Sequence, residues 1–336
     1  MSAAEPNAPF AKRLLDWWHT HGRRGLPWQQ DQSPYRVWVA EIMLQQTQVA
    51  TAIPYFERFM AVFPDLESLA GADIDDVLAQ WSGLGYYARA RNLHAAARRC
   101  METHDGALPE DADRLRALPG IGPSTANAII AQAFGRRAPI LDGNVKRVLA
   151  RHAGIEGWPG RSAVLKRLWR EADRRTPKGQ AGAYTQAIMD LGATVCTPRG
   201  ASCAHCPVAG DCVALAQDRV RALPAPRPTR QRPVKHTLMF LVRDRRGRVL
   251  LERRPPSGVW GGLWCLPDQP LAQQPPATQA EIIRHQFTHF ELTIHLHRKT
   301  TLPKTIADRP QRAWFSPMQA LDLGLPRPVR SILESL

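Results

Sequence analysis

The chain has 336 residues, with 45 Lys and Arg against 30 Asp and Glu, a formal net charge of +15 and a pI near 10.2. That length suffices for two or more domains with a sizeable core, and the basic balance favours a polyanionic partner, nucleic acid ahead of a membrane surface. No apolar run reaches the length of a membrane span, and residues 1–10 lack the basic and apolar regions of a secretory signal, so a cytoplasmic, nucleoid-associated protein is expected.

Along the chain, Leu14, Leu15, Trp17 and Trp18 mark an amphipathic helix over 10–21, closed by Gly22. Leu26, Pro27 and Trp28 predict a rigid apolar loop, and Pro34 opens a helix expected to run to about Ala52. Within it Glu41 stands among Trp38, Ile42, Met43 and Leu44. Such company would raise its pKa and fit it to act as an acid near neutral pH; a solvated carboxylate on a helix face is the plain alternative. Gln45, Gln46 and Thr47 follow, neutral hydrogen-bonding groups suited to a base edge or a disturbed duplex.

Further helices are predicted over 55–63, 74–81 and 88–104. Between the last two, residues 83–92 join a Gly-rich turn to Tyr86, Tyr87, Arg89 and Arg91. Aromatic rings beside cations can wedge into a base stack while the arginines hold phosphates, although core tyrosines on a basic helix fit equally well. The run Leu-Pro-Gly-Ile-Gly-Pro-Ser at 118–124 then puts Gly120 and Gly122 on either side of one apolar residue, at the entrance to a helix over 125–134. Two readings are open. Backbone N–H groups there could cradle a DNA phosphate, or the run is a Pro/Gly turn between two helices. Leu-Asp-Gly-Asn-Val-Lys-Arg at 141–147 supplies Asp142, Asn144 and the cation Lys146. Helices over 162–174 and 183–191 complete a first region, 1–217, with no strand pattern.

Six cysteines in an intracellular chain of this length do not suggest a disulfide framework, and four of them, Cys196, Cys203, Cys206 and Cys212, crowd into the pattern C-x6-C-x2-C-x5-C. Four thiolates could hold zinc, but structural zinc sites usually pair two C-x2-C knuckles, and one close pair with two outliers suits a cubane [4Fe-4S] cluster better. The loop 197–202 is pinned at both ends, so the cluster's economical role is structural: it presents Arg199 to phosphate. Cys100 and Cys265 stand apart as ordinary buried thiols.

Residues 218–236 combine four prolines with six basic residues and one acid, an extended, semi-rigid tether. Charge is uneven: residues 1–217 carry 25 Lys and Arg against 21 Asp and Glu, whereas 218–336 carry 20 against 9. Beyond the tether the periodicity changes to strands over 237–242, 248–252 and 291–296, an α+β domain.

Together these motifs resemble the MutY-type adenine DNA glycosylases of the helix-hairpin-helix superfamily, over nearly the whole chain. Carrying the resemblance are 41–49, 83–92, 118–125, 141–148, the cysteine spacing and Pro-Ser-Gly-Val-Trp-Gly-Gly-Leu-Trp at 256–264. It implies a mainly α N-terminal catalytic region over 1–217, with a helix-hairpin-helix six-helix barrel over 26–134 and an iron-sulfur helical subdomain formed by 1–25 with 135–217. A basic Pro-rich linker (218–236) and a smaller α+β Nudix-like domain (237–336) follow. The implied activity is N-glycosyl hydrolysis (EC 3.2.2.31) in base-excision repair, by a monomer acting on double-stranded DNA with A:8-oxoguanine or A:G mispairs.

By the same resemblance Asp142 is the catalytic carboxylate, Glu41 protonates adenine at N7 and later helps water attack, and Asn144 supports Asp142. Gln46 and Tyr86 fill or distort the gap left by the flipped base. Position 124, a lysine in members that also cut the backbone, is Ser124, which implies a monofunctional enzyme. Phe287, Thr288 and His289 match the loop that reads 8-oxoguanine, with Thr288 where serine is usual. Gln269, Pro270, Gln273, Gln274, Pro275 and Pro276 stand where a Nudix hydrolase has its magnesium-binding glutamates, so the domain should recognise rather than cut. Two rivals remain. An endonuclease III type lyase on oxidised pyrimidines would carry lysine at 124 and lack 237–336; a non-catalytic iron-sulfur DNA-binding protein would have no use for the acid pair Glu41 and Asp142.

Overall fold

The computed structural model describes residues 9–228, 232–271, 280–299, 301 and 311–336. The chain divides into two compact units, one of residues 1–67 with 95–229, the other of 68–94 with 230–336. The stretch 68–94, inside the region expected to form the helical barrel, thus makes its contacts with the C-terminal part. Among the described residues no helix is long and apolar enough to cross a membrane.

The first unit is helical. Helix α1 (Phe10–His21) begins and ends as its apolar pattern requires, with Phe10, Leu14 and Leu15 buried and Gly22 as C-cap. The segment expected as a loop after it forms one helical turn, α2 (Pro27–Gln30), because Pro27 suits the first helical position and Trp28 buries its ring edge-on to Phe56 at 5.4 Å. Nor does the helix opened by Pro34 run through to Ala52. It stops as α3 (Pro34–Leu44), and α4 (Val49–Val62) starts afresh. Between them Gln46 has φ +59, a left-handed conformation no α-helix accommodates, so Gln45, Gln46 and Thr47 sit in a turn.

Along the chain most of α5 (Leu66–Gly71), α6 (Ile74–Gln80) and the start of α7 (Ala88–Thr103) fall in the 68–94 stretch of the second unit, and the first unit resumes with the rest of α7 and α8 (Ala112–Arg116), capped by the Asp111 carboxylate on the N–H groups of Asp113 and Arg114. The hairpin turn leads into α9 (Pro123–Ala133), and α10 (Gly143–His152), α11 (Ser162–Arg175), α12 (Ala181–Asp190), a π-turn over Leu191–Val195 and the short α13 (Val213–Ala216) follow. Helix α9 packs against α3, α8 and α12, and α12 against α1 and α10. The core between them gathers Leu14, Ala128, Leu141, Val145, Leu149, Tyr184, Ile188 and Leu191.

In the second unit the α+β expectation holds. A four-stranded sheet has the order β4-β1-β6-β5, built from β1 (Val234–Val242), β4 (Asp268–Leu271), β5 (Glu281–Gln286) and β6 (Glu291–Lys299); β1 and β6 run parallel and the other pairs antiparallel. A second, antiparallel sheet orders β3 (Trp264–Cys265), β2 (Val249–Arg253) and β7 (Arg312–Phe315), followed by α14 (Pro317–Leu321) and α15 (Arg327–Glu334). Strand β1 begins at Val234, inside the span read as tether, since alternation there continues into Thr237, Met239 and Leu241 of the sheet's buried face. Gln269 and Pro270 pair with β1 in an edge strand. Gln273, Gln274, Pro275 and Pro276, and tether residues 229–231, lie outside the described residues.

The 68–94 stretch is tied into this unit by named bonds. Arg253 pairs with Asp75 at 2.6 Å, Arg330 donates to Ser82 Oγ at 3.1 Å and Arg91 donates to the Gly261 carbonyl. The Tyr87 hydroxyl donates to the Leu325 carbonyl at 2.8 Å and accepts from the Gly83 N–H at 3.2 Å.

Candidate active site

Helix α3 delivers Glu41. Its Oε1 accepts a hydrogen bond from Nε2 of Gln132, on α9, at 2.9 Å. Burial pushes the Glu41 carboxyl up to about 7; the Gln132 donor opposes the shift and the nearby Asp142 adds to it. The apolar neighbours on α3 that suggested this shift, Trp38, Ile42 and Met43, are all buried.

Asp142 is the N-cap of α10, where its Oδ1 accepts the Val145 N–H at 2.7 Å. Burial raises its pKa, against the pull of the N–H groups of Val145 and Asn144 and of the cations Arg147 and Lys146. Ser124, in the first turn of α9, accepts the Leu141 N–H on its hydroxyl at 3.3 Å, so it anchors the chain one residue before Asp142. Asn144 Oδ1 accepts from Arg147, whose guanidinium also donates to the carbonyls of Gly192 and Cys196. The approach is close: a Cβ on Gly192 would lie 2.6 Å from that of Asn144.

The hairpin is held from inside by buried Leu118 and Ile121 while Gly120, at φ +79, and Gly122 face outward. Gly122 caps α9 and Pro123 takes its first position, so no side chain caps the first-turn N–H groups. Gln45 donates to the Thr125 hydroxyl at 3.2 Å and thereby couples the turn after α3 to α9; the Thr47 hydroxyl contacts the Gln45 carbonyl at 3.5 Å. Lys146 and Arg221 both line a cleft of about 320 Å³. Arg199 is exposed.

The four cysteines of the C-x6-C-x2-C-x5-C pattern line one shared cavity with Arg151, whose guanidinium donates to Cys196 Sγ at 3.3 Å and to the Thr197 carbonyl at 2.8 Å. Burial pushes the Cys206 thiol up to about 12 and raises that of Cys212. Among the described residues no three His, Cys, Asp or Glu side chains converge as a single-ion site. All six cysteines are free thiols.

Beside Glu41 lies a feature sequence reasoning missed. A cavity of about 400 Å³ is lined by Trp18, Arg23, Gln29, Gln132 and Gln186. Behind it Asp190, fully buried, accepts from the Trp18 indole at 3.1 Å, from Gln186 Nε2 at 2.8 Å and from Arg23, its ion-pair partner at 2.6 Å. The clue was a lone acid after an apolar run, Ala187, Ile188 and Met189, the same signal that drew attention to Glu41.

In the second unit Tyr86 has φ +50, is 45% exposed, and lies within 5.5 Å of the Arg89 guanidinium. Phe287, Thr288 and His289 form the turn between β5 and β6, closed by the Phe287 N–H on the Phe290 carbonyl at 2.9 Å. Phe287 stacks on Phe290 at 4.4 Å with Trp260 and His285 around it, while Thr288 and His289 are exposed.

Residues 39–174 match the family model described as the HhH-GPD superfamily base excision DNA repair protein, and 238–335 match the NUDIX domain. The adenine DNA glycosylase of Buchnera aphidicola (from Acyrthosiphon pisum) is 34% identical, with 97% of each chain covered. The chain belongs to the adenine DNA glycosylases. The human family member is 33% identical, covering 86% of this chain and 66% of that one. Among solved structures, a thermostable thymine-DNA glycosylase aligns with a TM-score of 0.57 at 27% identity, over 62% of this chain and 95% of its own. Endonuclease III bound to DNA shares the fold, with a TM-score of 0.53 at 21% identity over 63% of this chain and 95% of its own. This glycosylase is thus an N-glycosyl hydrolase of base-excision repair that binds DNA, with a HhH-GPD region and a Nudix-like one.

Proposed function

We propose that the enzyme removes adenine opposite 8-oxoguanine or guanine and leaves an intact abasic site. The observation that carries this reading is the position of Glu41, its pKa raised by burial to about 7, bonded to Gln132 on the wall of an amide-lined cavity and within electrostatic reach of Asp142. Excision flips the base out of the stack. In the cavity Gln186 donates one N–H to Asp190, which fixes its amide, and its amide oxygen is the acceptor we assign to the exocyclic amine of adenine. Neutral Glu41 gives its proton to adenine N7, the C1'–N9 bond breaks with its electron pair leaving on the base, and the cation at C1' faces the Asp142 carboxylate. Water then adds to C1' and its proton returns to Glu41.

The donor sets support this division of labour. Asp142 has backbone N–H groups and two cations to stabilise its charge, whereas Glu41 has one amide. Ser124 brings a hydroxyl rather than an amine and spends it on the Leu141 N–H, which speaks against a Schiff base and strand cleavage. The uncapped N–H groups at the start of α9, with Lys146 and Arg199, suit phosphate, Gln45, Gln46 and Thr47 suit the base gap, and exposed Tyr86 suits a wedge. Thr288 and His289, on their aromatic platform, are proposed to read the oxidised base. The four thiols fit a [4Fe-4S] cluster: they share one cavity, and Arg151 beside Cys196 suits thiolate charge. Bound there, the cluster would stiffen the loop carrying Arg199.

Duplex DNA with adenine opposite 8-oxoguanine tests the reaction. Breaks that appear only after alkali are expected; breaks without alkali would show lyase activity, and none under either condition would overturn the proposal. An absorption spectrum of the purified protein separates iron-sulfur from zinc.

A further inference from the structure

Helix α9 buries Thr125, Ala126, Ala128, Ile129, Ile130 and Ala131, and Gln132 is the polar side chain that follows this run. An amide is a poor choice for apolar packing, and this one bonds a carboxylate 91 positions away in the chain, at 2.9 Å. Gln132 also lines the cavity that the proposed reaction gives to adenine. It therefore meets the acid on one side and the base site on the other.

A neutral carboxyl has two unlike oxygens: the carbonyl oxygen accepts hydrogen bonds well, while the hydroxyl oxygen carries the proton and accepts poorly. An N–H donor on Oε1 makes that atom the carbonyl oxygen and leaves the proton to Oε2. We propose that Gln132 is the positioning residue of the general acid: its amide holds Oε1 of Glu41, puts the transferable proton on Oε2 and aims it at the base in the cavity. After transfer the same N–H stabilises the carboxylate that remains, so the bond strengthens as the proton leaves. The inference rests on the reading of Glu41 as the acid and adds the group that orients it.

Among the described residues, the charged group that acts on Glu41 is Asp142 at the head of α10, which disfavours ionisation; α9 presents Gln132, neutral, which favours it. Removing the donor must therefore raise the Glu41 pKa. Since the rate needs the protonated acid, the alkaline limb of the rate profile should move to higher pH even as the maximum rate falls.

The experiment is single-turnover excision from A:8-oxoguanine duplex between pH 5 and 9 by the full-length holoenzyme, comparing parent, Gln132→Met and Glu41→Gln. Affinity is read in parallel on a duplex with a non-hydrolysable 2'-fluoro adenosine. For Gln132→Met we expect a maximum rate lower by about tenfold, the cost of one charge-assisted hydrogen bond, affinity within about twofold, and the alkaline limb displaced upward. An unchanged limb would overturn the inference. So would a limb displaced downward, which would mean the amide accepts a proton from Glu41 instead of donating to it. Should the Met variant unfold, Gln132→Leu, equally suited to a helix, carries the same test. If Glu41→Gln excises at the parental rate, the reading of Glu41 itself fails; if it is inactive while Gln132→Met behaves as parent, only the role of Gln132 fails.

Discussion

The residues proposed for chemistry and those proposed for recognition occupy contrasting surroundings. In the first unit Glu41 and Asp142 are half-buried, and the polar atoms around them meet partners from α9, α10 and α12. In the second unit Thr288 and His289 stand exposed at a strand turn, and only Phe287 beneath them is packed. The difference is instructive. Moving a proton to a poor leaving group needs a shifted pKa, which only burial and a sparse donor set provide, whereas reading a base still within DNA needs reach. A substitution in the first place should therefore remove activity, and one in the second should grade it.

The largest expected effect is at Asp142. Asp142→Asn keeps the N-cap hydrogen bond and the shape but loses the charge that faces the sugar cation, so excision should fall by about a thousandfold with mispair affinity retained. Excision at the parental rate in a quench experiment would remove Asp142 from the mechanism.

Glu41→Gln should cost about a hundredfold and abolish the alkaline limb of the rate profile. It has a second signature, in stability. A carboxyl whose folded pKa is raised to about 7 favours the folded state fully only below its unfolded value near 4.5, and that contribution is lost as pH rises through 7. The Gln variant escapes this loss. Its melting temperature should exceed the parent's at pH 8 and match it at pH 4; an equal difference at both would contradict the burial argument.

Tyr87→Phe tests whether the second unit holds the Tyr86 turn. The change removes the hydroxyl that bridges Gly83 and Leu325, and about a three- to tenfold drop in the rate at which a fluorescent 2-aminopurine unstacks is expected, alike for A:G and A:8-oxoguanine duplexes. No change would mean the turn is held by its other contacts. Because 68–94 packs with 230–336, deleting the latter would strip the turn of its neighbours, so single substitutions separate reading from wedging more cleanly than truncation does. The smallest effect belongs to Thr288→Ser, which keeps the hydroxyl: excision opposite guanine unchanged, and less than about a threefold shift in the 8-oxoguanine over guanine preference. A tenfold shift would make the Thr288 methyl a specificity determinant.

Much of this was legible in the chain itself. Apolar spacing and Gly22 bounded α1, the run at 118–124 announced the entrance to α9, the cysteine spacing announced a common site, and Glu41 stood out as an acid in apolar company. Each is a local signal, set by backbone preference, side-chain period or spacing within a few turns. The break after Leu44 was not legible, because a glutamine-rich run carries no turn signature and Gln46 adopts its left-handed backbone without a glycine or asparagine to announce it. Nor were Gln132, Asp190 or the attachment of 68–94 to the C-terminal strands.

Those features join residues 91, 167 and 178 positions apart, as Gln132 meets Glu41, Arg23 meets Asp190 and Arg253 meets Asp75. By itself the sequence determined which residues can carry charge, protons and metal, because those capacities belong to side-chain chemistry and to short spacings. Only the tertiary structure decided which amide meets the acid and what closes the base cavity. Such partners come from distant helices, and their distance and burial, on which the shifted pKa depends, exist only once those helices have packed.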